Sequence, residues 1–385
     1  MSLIALHVLV ALASLVVSTQ ALSSHETTIT QSLNTLHAQD AKIFYHGRWD
    51  FQQGTWWAGS GLKLHANNMQ SLDLHLGAHT TSPVASLGVS VNYGPYITVN
   101  VSSGSNSIPL GNDADASVVR IVTEGWQNNR IQLESLTTNH DARLQTYVPS
   151  QVRLQIIGDS LSAVRIGLLS GQYLPQGVVQ AWPFLTAESL KAELNVNAQP
   201  GAALKDIPAW GNVHGVSYEF FRTEDTGYYY TTDHNFTTPW DFAKDDPPPT
   251  HIMIHIGAND ASQNVTSSDF EQTYLNFVSR LRTIYHTQPI FVFTPISLST
   301  WGWPAADGSI SYYYTDSYPK IVQERRTLGD KNVFLVNTTG WIRWEDVFPD
   351  NIHPTVSGHQ RVAGFFEDWL KGWGLTPEVS WPTHA

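Results

Sequence analysis

Residues 154–161 read Leu154-Gln-Ile-Ile-Gly-Asp-Ser-Leu161, an apolar run of strand length that ends in Gly158, Asp159 and Ser160. Three further short apolar runs follow at 251–256, 290–296 and 332–336, and helical periodicity fills 181–194, 269–285, 317–328 and 357–373. Strand alternating with helix predicts a doubly wound parallel sheet covered on both faces, a three-layer α/β/α arrangement. Upstream the text changes. Leu72-Asp-Leu-His-Leu76, Val89-Ser-Val91, Ile97-Thr-Val-Asn-Val101 and the run from Ile131 alternate with period two, and Gly, Asn, Ser and Pro separate them. This half predicts an antiparallel β-sandwich or jelly roll. The expected partition is residues 22–145 for the sandwich and 146–385 for the α/β domain, with the change of pattern near 137–141.

Composition narrows the function classes. Lys and Arg total 21 against 33 Asp and Glu, a net charge of −12 that repels phosphate backbones and excludes nucleic acid as partner. Charged residues are 14% of the chain, against roughly 25% in average usage, and there are 14 Trp, which rules out disorder for the bulk of it. Residues 3–17 are apolar but shorter than the about 20 needed to span a bilayer, and Ser18-Thr-Gln-Ala21 follows. A signal peptide over 1–21 is expected, with a secreted, extracellular product that has no membrane partner once it is removed. Cysteine is absent, which excludes disulfides, thiol catalysis and Cys-ligated zinc. Asn100, Asn235, Asn264 and Asn337 stand in Asn-x-Ser/Thr sequons, the glycosylation sites expected of an exported chain. No phosphate loop or dinucleotide fingerprint occurs, and His75, His79 and the acidic 112–115 stretch lack complete ligand spacing, so neither cofactor nor metal is expected. Oligomeric state is left open.

A turn that puts Ser160 at the carboxyl end of a strand exposes its hydroxyl beside amide N–H groups able to hold developing negative charge. Gly-Asp-Ser alone is more often an ordinary helix cap than a nucleophile. Two later stretches bear on the choice. Ile256-Gly-Ala-Asn-Asp260 closes the second long apolar run, and Asp350-Asn-Ile-His-Pro354 precedes the last helix. A serine nucleophile needs a base and the base an orienting acceptor, and His353 and Asp350 are spaced so that the carboxylate can fold back on Nδ1 while Nε2 faces the serine, although His353 taken alone reads first as a structural histidine near a helix.

In order along the chain, Gly158-Asp-Ser-Leu-Ser162, Asn197-Ala-Gln-Pro-Gly201, Gly257-Ala-Asn-Asp260 and Asp350-Asn-Ile-His-Pro354 with Ser357-Gly-His359 resemble the blocks of the SGNH or GDSL hydrolase superfamily, over roughly residues 150–375. The resemblance implies a flavodoxin-like α/β/α sheet, Ser160 as nucleophile, His353 as general base and then acid, and Asp350 as its orienter. It also implies an oxyanion hole from the amides of Ser160 and Gly201 and the side chain of Asn259. Residues 163–170 depart from the family pattern, in which a glycine follows soon after the serine. Tyr45-His-Gly-Arg-Trp49 and Trp57-Ala-Gly-Ser60, ahead of alternating strands, look like the jelly roll joined to the SGNH domain in carbohydrate esterase family 2.

Aromatic residues crowd the intervals after the strands: Tyr218, Phe220, Phe221, Trp240 and Phe242 in one, Trp301 and Trp303 in another, and Trp341 and Trp344 ahead of Asp350. Such loops converge on the carboxyl edge of a doubly wound sheet, and flat rings with a polar tip suit sugar faces. Trp301, Trp303, Trp341 and Trp344 are the expected substrate-binding residues. The reading is a secreted serine esterase that removes acetyl or other short acyl groups from a polysaccharide or oligosaccharide through an acyl-enzyme. Its rivals are a lipase-like acylhydrolase of lipids or small esters, and a carbohydrate-binding protein whose active site has decayed, which the stretch at 163–170 motivates.

Overall fold

Strands that alternate apolar and polar residues can bury one face and wet the other, and the first half of the chain folds accordingly. The computed structural model describes residues 33–55, 57–111, 116–125, 129–163, 174–224, 238–295, 313–347 and 353–384. The expected leader at 1–21 lies outside them, as do Asn235, Trp301, Trp303, Asp350 and the side chain of Trp344. One antiparallel sheet runs Asn34–His37, Ile131–Thr138, Leu72–Leu76, Gly104–Ser107, with Gly54–Thr55 added to Ile131–Thr138. The second runs Arg143–Gln145, Gly61–Met69, Ala116–Thr123, Ala85–Val91, Ile97–Val101, with Phe44–His46 beside Gly61–Met69. Leu64, Leu74, Leu87, Ile121 and Leu136 fill the space between them and are buried.

The second half is built on five parallel strands: β1 Arg153–Gly158, β2 Glu193–Ala198, β3 His251–His255, β4 Ile290–Phe293 and β5 Val333–Val336, in the order β2-β1-β3-β4-β5. Side chains alternate across a strand, so the central strands must be apolar on both faces. Met253, Phe291 and Phe293 face a layer with helices α1 Trp182–Leu190 and α5 Val356–Trp373. Ile252, Ile254, Ile290 and Val292 face the opposite layer, which contains α3 Ser267–Leu281 and α4 Ser317–Thr327. A short helix, α2 Ala258–Ser262, follows β3. Thr266 and Thr355 cap α3 and α5 by accepting from the Asp269 and Gly358 amides at 3.1 Å each. The helix expected over 181–194 stops at Leu190, because Lys191 turns into the left-handed region at φ 55° and Glu193 enters β2. Among the described residues no helix is long and apolar enough to cross a membrane.

Sandwich and parallel sheet share a core. Ala58 and Val122 of the sandwich pack in one cluster with Phe184 of α1 and Val196 of β2. A Cβ on Gly59 would stand 3.0 Å from the Phe184 ring, and its φ of +84° is one that few other residues adopt. Polar groups lock the contact. Lys63 pairs with Glu193, Arg120 with Glu188 at 2.6 Å, and Trp57 Nε1 donates to the Thr223 carbonyl at 2.8 Å. Arg48 donates to the Arg222 carbonyl at 2.6 Å and lies over the rings of Phe220 and Trp240, 4.8 and 5.3 Å from their centres. The two motifs at 45–49 and 57–60 therefore form the joint between the layers.

Candidate active site

In the order β2-β1-β3, the chain leaves β1 toward neighbours on either side, and the carboxyl ends of such strands frame a crevice where ligands bind. Ser160 follows β1, Gly201 follows β2 and Asn259 follows β3, so three segments far apart in the chain meet there. Gly158 lets the turn close: a Cβ on it would meet the His255 carbonyl and the Ser162 hydroxyl, each at 2.8 Å. Asp159 is fully buried and accepts the Leu161 amide at 3.0 Å, which fixes the turn and leaves Ser160 half-exposed. The Ser160 hydroxyl donates to Nε2 of His353 at 2.9 Å, across 193 residues of chain. His353 sits two residues before the Thr355 cap of α5.

The three expected oxyanion donors adjoin this pair. Among the described residues, the backbone N–H groups of Ser160 and Gly201 donate no hydrogen bond. Gly201 turns at φ +81°, and a Cβ there would press on Trp210 Cβ at 2.9 Å and Asn212 Nδ2 at 3.0 Å. The Asn259 side chain donates to the Ala202 carbonyl at 3.0 Å and reaches Asp159 at 3.5 Å, so it is held between the neighbours of the other two donors. Asp260 fastens the same loop to α2 by accepting the amides of Leu204 at 2.7 Å and Lys205 at 2.9 Å.

The floor beneath the pair is buried. Burial pushes the Asp159 carboxyl up to about 7, with nearby Asp260 adding repulsion against the Leu161 amide. Burial pushes Asp260 up to about 6. His255 at the end of β3 and His359 on α5 are driven down to about 3, chiefly by burial, and are neutral at ordinary pH. A low-dielectric floor strengthens any donor aimed at developing charge.

The aromatic residues divide. Phe220, Phe221 and Trp240 are buried. Trp341 is 8% exposed and stacks on Phe365 at 5.9 Å, edge-on to Phe293, so the substrate-facing role expected for it is corrected to packing: its faces are covered. Trp210, which the sequence reading passed over, is 66% exposed. Ala209 and Asn212 bond each other's backbones at 3.0 and 2.9 Å around a tight turn in which Trp210 and Gly211 both take positive φ, 48° and 91°. Asn212 ties this turn to the Pro200 carbonyl at 2.9 Å, and Ser262 accepts the indole N–H at 3.0 Å. A bulky residue directly before Gly-Asn was the available signal, since such turns normally take Asn, Asp or Gly at that position. A cleft of about 290 Å³ lined by Tyr45, Trp49, Arg153, Asn195 and Lys244 lies at the other end of the sheet, by the amino ends of β1 and β2.

Residues 156–361 match the GDSL-like Lipase/Acylhydrolase family. Among solved structures, the chain is similar to a family two carbohydrate esterase from Cellvibrio japonicus, at 18% identity and TM-score 0.68, covering 89% of this chain and 98% of that one. It is similar to an acetyl xylan esterase from the rumen bacterium Butyrivibrio proteoclasticus, at 17% identity and TM-score 0.68, covering 89% and 100%. It is also similar to a family two carbohydrate esterase from Clostridium thermocellum in complex with cellohexaose, at 18% identity and TM-score 0.64, covering 86% and 98%. No curated protein matches the chain. At these identities the likeness is one of fold, and it extends over both layers of the molecule.

Proposed function

The chain belongs to the GDSL-like lipase/acylhydrolase family, and from that premise we propose that it is a serine esterase that removes acetyl or other short acyl groups from hydroxyls of a polysaccharide. The observation that carries the reading is the 2.9 Å hydrogen bond from Ser160 to His353 at the switch point of the sheet. In this mechanism Ser160 Oγ attacks the ester carbonyl while Nε2 of His353 takes its proton. The carbonyl oxygen becomes an oxyanion facing the amides of Ser160 and Gly201 and the side chain of Asn259. Collapse breaks the bond to the sugar oxygen, which leaves with the proton from His353. Water, deprotonated by the same imidazole, then attacks the acyl-serine and releases the carboxylic acid. Asp350, three positions before His353, is the acceptor that this mechanism needs on Nδ1.

Two features support sugar as the leaving group: the fold-level likeness to carbohydrate esterases and the exposed Trp210 ring beside Gly201. Action outside the cell fits the apolar stretch at 3–17 and the surface exposure of Asn100, Asn264 and Asn337. The test is acetate release from acetylated xylan and from 4-nitrophenyl acetate. Ser160→Ala should abolish both by at least about a thousandfold with the unfolding midpoint unchanged. A folded Ser160→Ala protein that retains a tenth of the activity removes Ser160 from the mechanism.

A further inference from the structure

The Ser160 turn and the His353 segment come from opposite ends of the α/β half, and among the described residues no strand pairing joins them. One buried residue touches both sides. Trp182, the first residue of α1, donates its indole N–H to the Leu161 carbonyl at 2.9 Å, one residue beyond Ser160. Its backbone N–H donates to Nδ1 of His359 at 3.2 Å, on the first turn of the helix that His353 precedes. The indole is fully buried, tilted on Phe293 at 5.4 Å and edge-on to Phe366 at 5.6 Å, so it cannot yield without disturbing the core.

His359 is an unusual choice for such a place. It is fully buried, and among the described residues Nε2 has no hydrogen-bond partner. A buried donor left unsatisfied is unfavourable, and a leucine would fill similar space without that cost. Nδ1 accepts from Trp182, so the proton resides on Nε2. Burial, with His353 and His255 nearby, holds the ring neutral and keeps Nδ1 an acceptor at ordinary pH. Among the described residues, what histidine supplies and leucine cannot is the acceptor for the Trp182 N–H.

We infer that His359 and Trp182 are positioning residues, a hydrogen-bonded bridge from the Leu161 carbonyl to α5 that holds Ser160 Oγ within reach of His353 Nε2. The inference rests on Ser160 and His353 acting as the reacting pair. Small displacements between reacting groups are costly, on the order of a hundredfold for about 1 Å.

The test measures kcat and KM for 4-nitrophenyl acetate and the rate at which a fluorophosphonate labels Ser160, a reaction that needs the serine activated but no sugar bound. His359→Leu should lower kcat and the labelling rate together by roughly 10- to 100-fold, with KM within about twofold. His359→Asn, whose Oδ1 can take the place of Nδ1, should retain both within about threefold. Trp182→Phe keeps a ring in the core but loses the indole donor, and should show the same kcat-only defect; it also serves if His359→Leu does not fold. Wild-type labelling by folded His359→Leu, an equal fall in His359→Asn, or a loss confined to KM would each overturn the inference. Ser160→Ala, run alongside, separates the two claims: if it still turns over substrate, the catalytic pair itself is wrong.

Discussion

Asp159→Asn tests the buried floor quantitatively. Asp159 is fully buried next to Ser160, and burial raises its pKa from 3.8 to about 7. A folded pKa above the unfolded value means that the native state holds the proton longer than the unfolded chain. Stability from this group is complete below about pH 3.8 and is lost as pH rises through about 7. Between pH 5 and pH 8 the loss is about 2–3 kcal/mol, since most of the interval up to 7 lies between the unfolded and folded values. Asparagine has the same shape, can still accept the Leu161 amide, and does not titrate. Its two hydrogens toward Asn259 impose an offset that is equal at both pH values. His255 and His359 act in the opposite sense, contributing stability above about pH 6.5 that is lost as pH falls toward 3, but both proteins contain them and the contribution cancels. Urea unfolding at pH 5 and pH 8, followed by tryptophan fluorescence, should therefore show the variant gaining about 2–3 kcal/mol on wild type between the two pH values. A gain under about 0.5 kcal/mol, or a loss, would mean that Asp159 is ionised in the folded protein throughout, and the account of the floor would be wrong.

Trp210→Ala should lower kcat/KM for acetylated xylan about fivefold, the equivalent of about 1 kcal/mol of stacking, and leave 4-nitrophenyl acetate within twofold; equal losses on both would sink its role as a sugar platform. Gly201→Ala should reduce kcat for 4-nitrophenyl acetate by about 10²–10³, because the added Cβ drives the loop away from Trp210 and takes one oxyanion donor with it. Wild-type kcat in that variant would exclude the Gly201 amide as a donor. Trp341→Ala should destabilise the protein by about 3–5 kcal/mol in urea unfolding while the ratio of xylan to aryl ester activity stays constant, and a changed ratio in a stable variant would restore it to the substrate surface.

The central parallel strands were legible because burial on both faces makes β4 wholly apolar, β3 apolar between its two terminal histidines and β1 apolar from Leu154 to Ile157 apart from Gln155, and α5 because its buried stripe recurs every three to four residues. β2 was not legible. Glu193-Leu-Asn-Val-Asn-Ala198 is an edge strand with apolar residues on one face, and its leucine extends the helical pattern of α1 until Lys191 breaks it. The pairing of Ser160 with His353 was foreseeable from the resemblance of four blocks, in order along the chain, to the SGNH hydrolases, whereas each residue taken alone reads as a cap or a structural side chain. The fate of the tryptophans was not, because whether a ring faces solvent depends on its neighbours in space. Trp341 is covered by two phenylalanines, whereas Trp210 is held outward by a turn whose strain is invisible in composition.

The joint between sandwich and sheet bears on how the molecule can be divided. Arg48 and Trp57 hold the backbone at Arg222 and Thr223, in the same connection that contributes Gly201, and Lys63 meets Glu193 at the start of the strand leading to it. Severing the chain near residue 146 would strand Glu193 without its cation and open the Phe184 and Val196 surface to water. The stretch that matches the acylhydrolase family, 156–361, is thus smaller than the folding unit that shapes its catalytic loops. An exchangeable module can be cut from one enzyme and grafted onto another, and this sandwich cannot: in any chimera it has to travel with its hydrolase as one inherited piece.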